Sequence, residues 1–89
     1  MKEPEMSEMT KEERAWVRKI QKLLDNPPSD RLGFYAIGDA DVGIYDLDKS
    51  SDIDRKVNEE GVDLPYCVTY FDADLGNLEF PSLVHSAAG

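Results

Sequence analysis

Asp-x-Asp recurs four times in this chain, as Asp39/Asp41, Asp46/Asp48, Asp52/Asp54 and Asp72/Asp74. In an extended backbone, side chains at i and i+2 share one face about 6.6 Å apart, comparable to the spacing of successive phosphates along a nucleic-acid strand. A surface studded in this way could imitate DNA and occupy the groove of a protein that binds it. Asp is also favoured in turns and at helix N-termini for local reasons, through hydrogen bonds to nearby backbone N–H groups and interaction with the helix dipole. All four pairs fall near expected element ends. The local explanation does not account for the scarcity of compensating Lys and Arg. The candidates for partner contact are therefore Asp39, Asp41, Asp46, Asp48, Asp52 and Asp54.

The same carboxylates invite a metal. From Asp46 to Asp54, acids or serines occupy positions 1, 3, 5, 7 and 9 of a calcium loop, with Ile53 at the customary apolar position 8. Position 6 is Ser51 where the turn needs a glycine, and position 12 is Val57 where a bidentate Glu is needed. The loop also follows an expected strand rather than a helix. Weak, adventitious divalent-ion binding is the most this pattern implies, with no dedicated metal site and no cofactor.

Two catalytic patterns fail on inspection. Ile44-Tyr45-Asp46-Leu47-Asp48 resembles the first motif of haloacid-dehalogenase phosphatases, an apolar strand ending in Asp-x-Asp. That chemistry also needs a Lys, a further acidic metal site and a parallel sheet, and no lysine follows Lys56. His85-Ser86 suggests a nucleophile and its base, but a single His beside a small-residue C-terminus lacks the scaffold that holds such a pair in reacting geometry. Cys67, the one cysteine, excludes an intramolecular disulfide, and its neighbours Tyr66, Val68 and Tyr70 point to a buried or half-buried strand residue. The expectation is a protein that binds and does not catalyse.

Charge defines the background. The chain has 89 residues and a net charge of -9. Residues 1–31 hold seven acids and seven bases, so the remaining 12 acids and 3 bases of residues 32–89 supply the whole excess. Such a field repels nucleic acid and anionic membranes and attracts basic protein surfaces with a salt-dependent on-rate. It also serves solubility alone. No apolar run approaches the ~20 residues of a membrane span, and the polar start is unlike a signal peptide, so a cytoplasmic setting is expected.

Few elements are available to position these groups. Residues 1–9 are polar, include Pro4, and read as a disordered leader, with Met6 a second possible start. Thr10-Lys11-Glu12-Glu13 is a capping box, followed by a helix to about Asn26 whose Trp16, Val17, Ile20, Leu23 and Leu24 form one apolar stripe. Pro27-Pro28 ends it. Arg14, Arg18 and Lys22 form a basic stripe, either a grip for phosphates, a solvated face, or a face that docks on the chain's own acidic half. Phe34–Ile37 and Val42–Tyr45, joined by Gly38-Asp39-Ala40-Asp41, predict a β-hairpin. Ser50 or Ser51 is expected to cap a short helix that Gly61 ends. Tyr66–Phe71, rich in aromatic and β-branched residues, is expected as a third strand, Asp72–Asn77 as a turn, and Leu78–Phe80 as a short edge strand.

Together these elements predict an α+β fold: the N-terminal amphipathic helix packed on a small three- to four-stranded antiparallel sheet, with a second short helix. A single domain over residues 10–81 is expected, with residues 82–89 a loose tail.

Two segments carry a resemblance. Met9-Thr10-Lys11-Glu12-Glu13-Arg14-Ala15-Trp16, continuing through Lys19–Leu24 to Pro28-Ser29-Asp30-Arg31-Leu32-Gly33, and the ending Phe80-Pro81-Ser82-Leu83-Val84-His85-Ser86, resemble short early-region proteins of lambdoid phages and enteric prophages. The resemblance transfers no active residue. It implies a viral accessory protein that binds and inhibits or modulates a host protein. With this charge, the host target would have a basic, nucleic-acid-binding face, such as a nuclease, a defence component or a transcription factor. The alternatives are a homo-oligomer paired through the first helix or the edge strand near Phe80, and a weak divalent-metal binder.

Overall fold

Thr10 opens the first helix in the way its sequence dictates. Its hydroxyl accepts a hydrogen bond from the Glu13 N–H at 3.1 Å, and its own N–H donates to the Glu13 carboxylate at 2.8 Å. The capping box starts helix α1, Lys11–Asp25. A computed structural model describes residues 7–85. Residues 1–6 of the expected leader and 86–89 of the expected tail lie outside the described residues.

After α1, strands β1 (Leu32–Ala36) and β2 (Asp41–Asp46) form the expected hairpin, with Phe34 opposite Ile44 and Tyr35 opposite Gly43. Gly38 takes a left-handed φ of 90° in the turn, a conformation free of steric cost only for glycine. A 3-10 turn over Leu47–Lys49 leads into α2, Ser50–Glu60, and Gly61 closes that helix at φ 67°. The start of α2 differs from expectation. Neither serine caps it. Both lie inside the first turn, and the N-cap position is Lys49, which makes no side-chain cap. The capping carboxylate stands one element earlier, where Asp46 caps the 3-10 turn by accepting from the Asp48 N–H at 3.0 Å.

Tyr66–Phe71 is not a strand. Tyr66–Tyr70 form the body of helix α3, Leu64–Tyr70, and Phe71 is its C-cap. Asp63 caps the helix by accepting from the Tyr66 N–H at 3.0 Å, and Pro65 occupies the first turn, where a missing N–H costs nothing. At the other end Asp72 adopts φ 54°, the Ala73 N–H donates to the Val68 carbonyl at 2.8 Å, and the Asp72 N–H donates to that of Thr69 at 3.1 Å. This is a Schellman closure, with Asp72 where glycine is usual. Lys49 completes it by donating to the carbonyls of Phe71 (2.8 Å) and Asp72 (3.1 Å). These end contacts outweigh the strand propensity of the residues between them.

The third strand comes later. β3, Asp74–Glu79, takes in most of the segment expected as a turn and pairs antiparallel with β2, with a bulge at the Ile44/Tyr45 step. The sheet order is β1-β2-β3 with β2 central. The fold is therefore α+β: a three-stranded antiparallel sheet, the N-terminal helix and two further helices.

The core is small and one-sided. Ile53 of α2, Cys67 and Val68 of α3, and Ala73 are fully buried, with Tyr35, Tyr45, Val57, Val62, Leu64 and Phe71 packed around them. Cys67 is buried as expected, from a helix rather than a strand. Every residue of α1 is exposed. The expected cover of helix on sheet is absent, because the turn through Pro27-Pro28 brings only the last turn of α1 to the sheet. The radius of gyration is 17.1 Å, against about 12 Å for a compact chain of this length.

Candidate interaction surfaces

The six candidate acids do not form one row. Asp39 and Asp41 are exposed at the hairpin turn, Asp46 and Asp48 lie at the opposite end of β2, and Asp52 and Asp54 project from α2. The length of β2 separates its two ends by about 17 Å. None of the four Asp-x-Asp pairs lies wholly within a strand. Asp52 and Asp54 stand on a helix, where i and i+2 point to different faces, so the phosphate-like spacing of an extended backbone does not apply to them. The acids instead surround the body from several directions.

Asp46 differs from the other five. It is the one buried charged residue among those described. Its two carboxylate oxygens are both engaged, one by the Asp48 N–H and the other by the Arg31 guanidinium at 3.2 Å. Asp39, Asp41, Asp48, Asp52 and Asp54 are exposed. Among the described residues only two ion pairs form, Arg31–Asp46 and Lys56–Glu60. Arg14, Arg18 and Lys22 are exposed on α1 and take no part in them, so the acidity of the body is not neutralised from within.

The α1 stripe is a surface the sequence already offers for pairing, whereas the open outer face of the sheet is not among its expectations. Antiparallel pairing places Leu32, Phe34, Val42, Ile44 and Leu78 on the sheet face opposite Tyr35 and Tyr45. The tyrosine side carries the core, so the other side has no helix over it. Phe34 and Leu78 are about half exposed. The stripe of α1 is more open still, with Trp16 61% and Leu23 76% exposed. Leu23, Leu24, Pro27 and Pro28 meet Leu32, Phe34, Ile44 and Leu78 around an apolar groove of about 360 Å³. Alternation in β1 and β2, apolar on both faces, was the available sequence signal.

Two smaller features complete the surface. On α3, Tyr66 and Tyr70 are exposed and stacked at 6.1 Å, with the Lys56 ammonium 4.0 Å from the Tyr70 ring and 2.6 Å from the Glu60 carboxylate. That carboxylate, foremost, holds the Lys56 pKa above its usual value. Beside β3, Tyr35, Asp41, Asp74 and Asn77 border an open depression of about 290 Å³. Burial, and then the neighbouring Asp74 carboxylate, raise the pKa of Tyr35.

Among the described residues no three His, Cys, Asp or Glu side chains converge as metal ligands would, and the stretch with calcium-loop spacing is wound into the 3-10 turn and α2. No helix among them is long and apolar enough to cross a membrane. No protein-family profile, curated protein or solved structure matches the chain.

Proposed function

We propose that this protein is a non-enzymatic binding module whose acidic body engages a basic surface on another protein and inhibits or modulates it. The observation that carries this reading is the exposure of Asp39, Asp41, Asp48, Asp52 and Asp54 with no cation among the described residues paired to them. Desolvating exposed carboxylates against a matching set of Lys and Arg gives orientation and a fast, salt-sensitive encounter. Asp46 is not part of this contact set, because its oxygens are occupied in holding the β2–α2 junction. The resemblance of Met9–Gly33 and Phe80–Ser86 to phage early proteins favours a host protein as the target, and the charge favours one that itself binds nucleic acid. Scattered acids at several angles fit a concave basic surface better than a linear track, so imitation of a DNA strand is the narrower version of this reading.

Affinity capture from an enteric bacterial lysate, with the intact chain and with a variant carrying Asn at 39, 41, 48, 52 and 54, tests it. The expected result is a basic protein retained by the intact chain, released by moderate salt and lost from the variant. Capture of the same proteins by both baits would overturn the role of the acids.

A further inference from the structure

We infer that the protein pairs with a second copy of itself, α1 of each copy lying across the outer sheet face of the other. Both halves of this contact are present and uncovered in one chain. The donor is the stripe of Trp16, Val17, Ile20, Leu23 and Leu24, no residue of which is buried. The acceptor is the face formed by Leu32, Phe34, Ile44 and Leu78.

Their dimensions agree. A 15-residue helix is about 22 Å long and about 10 Å across. Three paired strands of five or six residues present a face about 14 Å wide and about 18 Å long. One helix therefore covers one sheet face, the arrangement that an α+β layer ordinarily requires.

Two observations explain why the helix of the same chain does not supply that cover. Pro27 and Pro28 bar helical conformation in the residues before them, and they direct α1 away after Leu23 and Leu24 have reached the sheet margin. The first three turns, with Trp16, Val17 and Ile20, then project beyond their own body, which accounts for the long axis of 52 Å.

Charge selects a second copy as the occupant. α1 carries five bases (Lys11, Arg14, Arg18, Lys19 and Lys22) against three acids (Glu12, Glu13 and Asp25), a net +2. The body from residue 32 onward is -9. Lys19 and Lys22 stand beside Leu23 at the border of the apolar stripe, where their stems extend the apolar surface and their ammonium groups reach outward. A helix of this charge is attracted to a body of that charge. A two-fold pair also makes the contact twice, covering both apolar surfaces of both copies at once, whereas an unrelated partner on the helix would leave the sheet face open.

Sedimentation equilibrium of the full chain tests the proposal with two double variants, Trp16→Ala/Ile20→Ala on the helix and Phe34→Thr/Leu78→Thr on the sheet, each checked for folding by circular dichroism. The intact chain is expected to dimerise and each variant alone to dissociate at least tenfold more readily. The two variants mixed should form a hetero-pair tighter than either homo-pair, because one intact helix then meets one intact sheet. If the sheet double variant does not fold, Leu78→Thr on the edge strand takes its place. A monomeric intact chain, or a dimer indifferent to the sheet substitutions, or no recovery on mixing, would overturn the exchange of helices.

Discussion

Gly43 lies directly opposite Tyr35 in the β1–β2 ladder, and a Cβ placed on Gly43 would clash with the hydroxyl-bearing edge of the Tyr35 ring. The same relationship is repeated two pairs along, where Gly33 faces Tyr45 and a Cβ would meet that ring at 2.7 Å. The two tyrosines fold over the glycines opposite them and meet edge to face with centroids 5.9 Å apart. This close approach lets two large rings pack side by side over a narrow sheet and shield the small core. Gly43→Ala should therefore destabilise the fold by about 1–3 kcal/mol, the usual cost of forcing volume into a packed site. Urea unfolding checks it, and an unchanged midpoint would mean that the Tyr35 ring has room to move.

Asp46 predicts a split between neighbours that look alike in sequence. Asp46→Ala removes a cap and an ion-pair partner at once and should cost about 2 kcal/mol. Asp48→Ala, at an exposed position, should stay within about 0.5 kcal/mol. Thermal unfolding of the two variants side by side separates a structural carboxylate from a surface one. Equal losses would contradict the assignment.

Alkaline stability follows from Tyr35 and Lys56. Burial and the Asp74 carboxylate favour the neutral phenol of Tyr35 in the folded chain, and Glu60 favours the charged Lys56. Both folded pKa values are raised, so both groups bind protons more tightly when folded. Their stabilisation is complete below the unfolded values near pH 10 and is lost as pH rises through the folded ones. Unfolding free energy should be insensitive to these groups up to about pH 9 and fall above 10. Asp74→Asn should lower the Tyr35 midpoint without restoring it fully, since burial is the larger cause. Side-chain NMR titration of Tyr35 reads this directly, and a midpoint unmoved by Asp74→Asn would contradict the coupling.

Ile53 is 1% exposed at the centre of the core. Ile53→Ala should cost about 2–5 kcal/mol, enough to leave a domain of this size largely unfolded. Circular dichroism against temperature measures it, and a loss below about 1 kcal/mol would place the core elsewhere.

Much of the fold was legible in local signals. The capping box at Thr10, the Gly-Asp turn of the hairpin and the Gly61 stop each act within a few residues, and each appears where the sequence puts it. α3 was not legible from composition, since Tyr66-Cys67-Val68-Thr69-Tyr70-Phe71 is strand-like residue by residue. Its helical signal lies at the ends, in Asp63 and Pro65, and in Lys49, which arrives from 22 residues away in sequence to meet Phe71. β3 was obscured because its Asp74-Leu75-Gly76-Asn77 run is turn-like, and its bulge needs the partner strand to define it. For the candidate acids, the exposure of five was readable, whereas the engagement of Asp46 by Arg31 required the hairpin to bring the two together. The open sheet face is hidden by a reasonable rule, that a helix stripe covers its own sheet. The proline turn sets that rule aside here.

That the chain leaves its broadest apolar stripe free for recognition is tested most directly by acrylamide quenching of Trp16 fluorescence in dilute protein. Trp16 is the only tryptophan in the sequence, and it is 61% exposed. Quenching close to that of a free indole is expected at low concentration, weakening as concentration rises and a second copy covers the ring. A ring shielded in chains that sedimentation shows to be monomeric would show that α1 folds back on its own body, and would contradict the open surfaces on which the interaction rests.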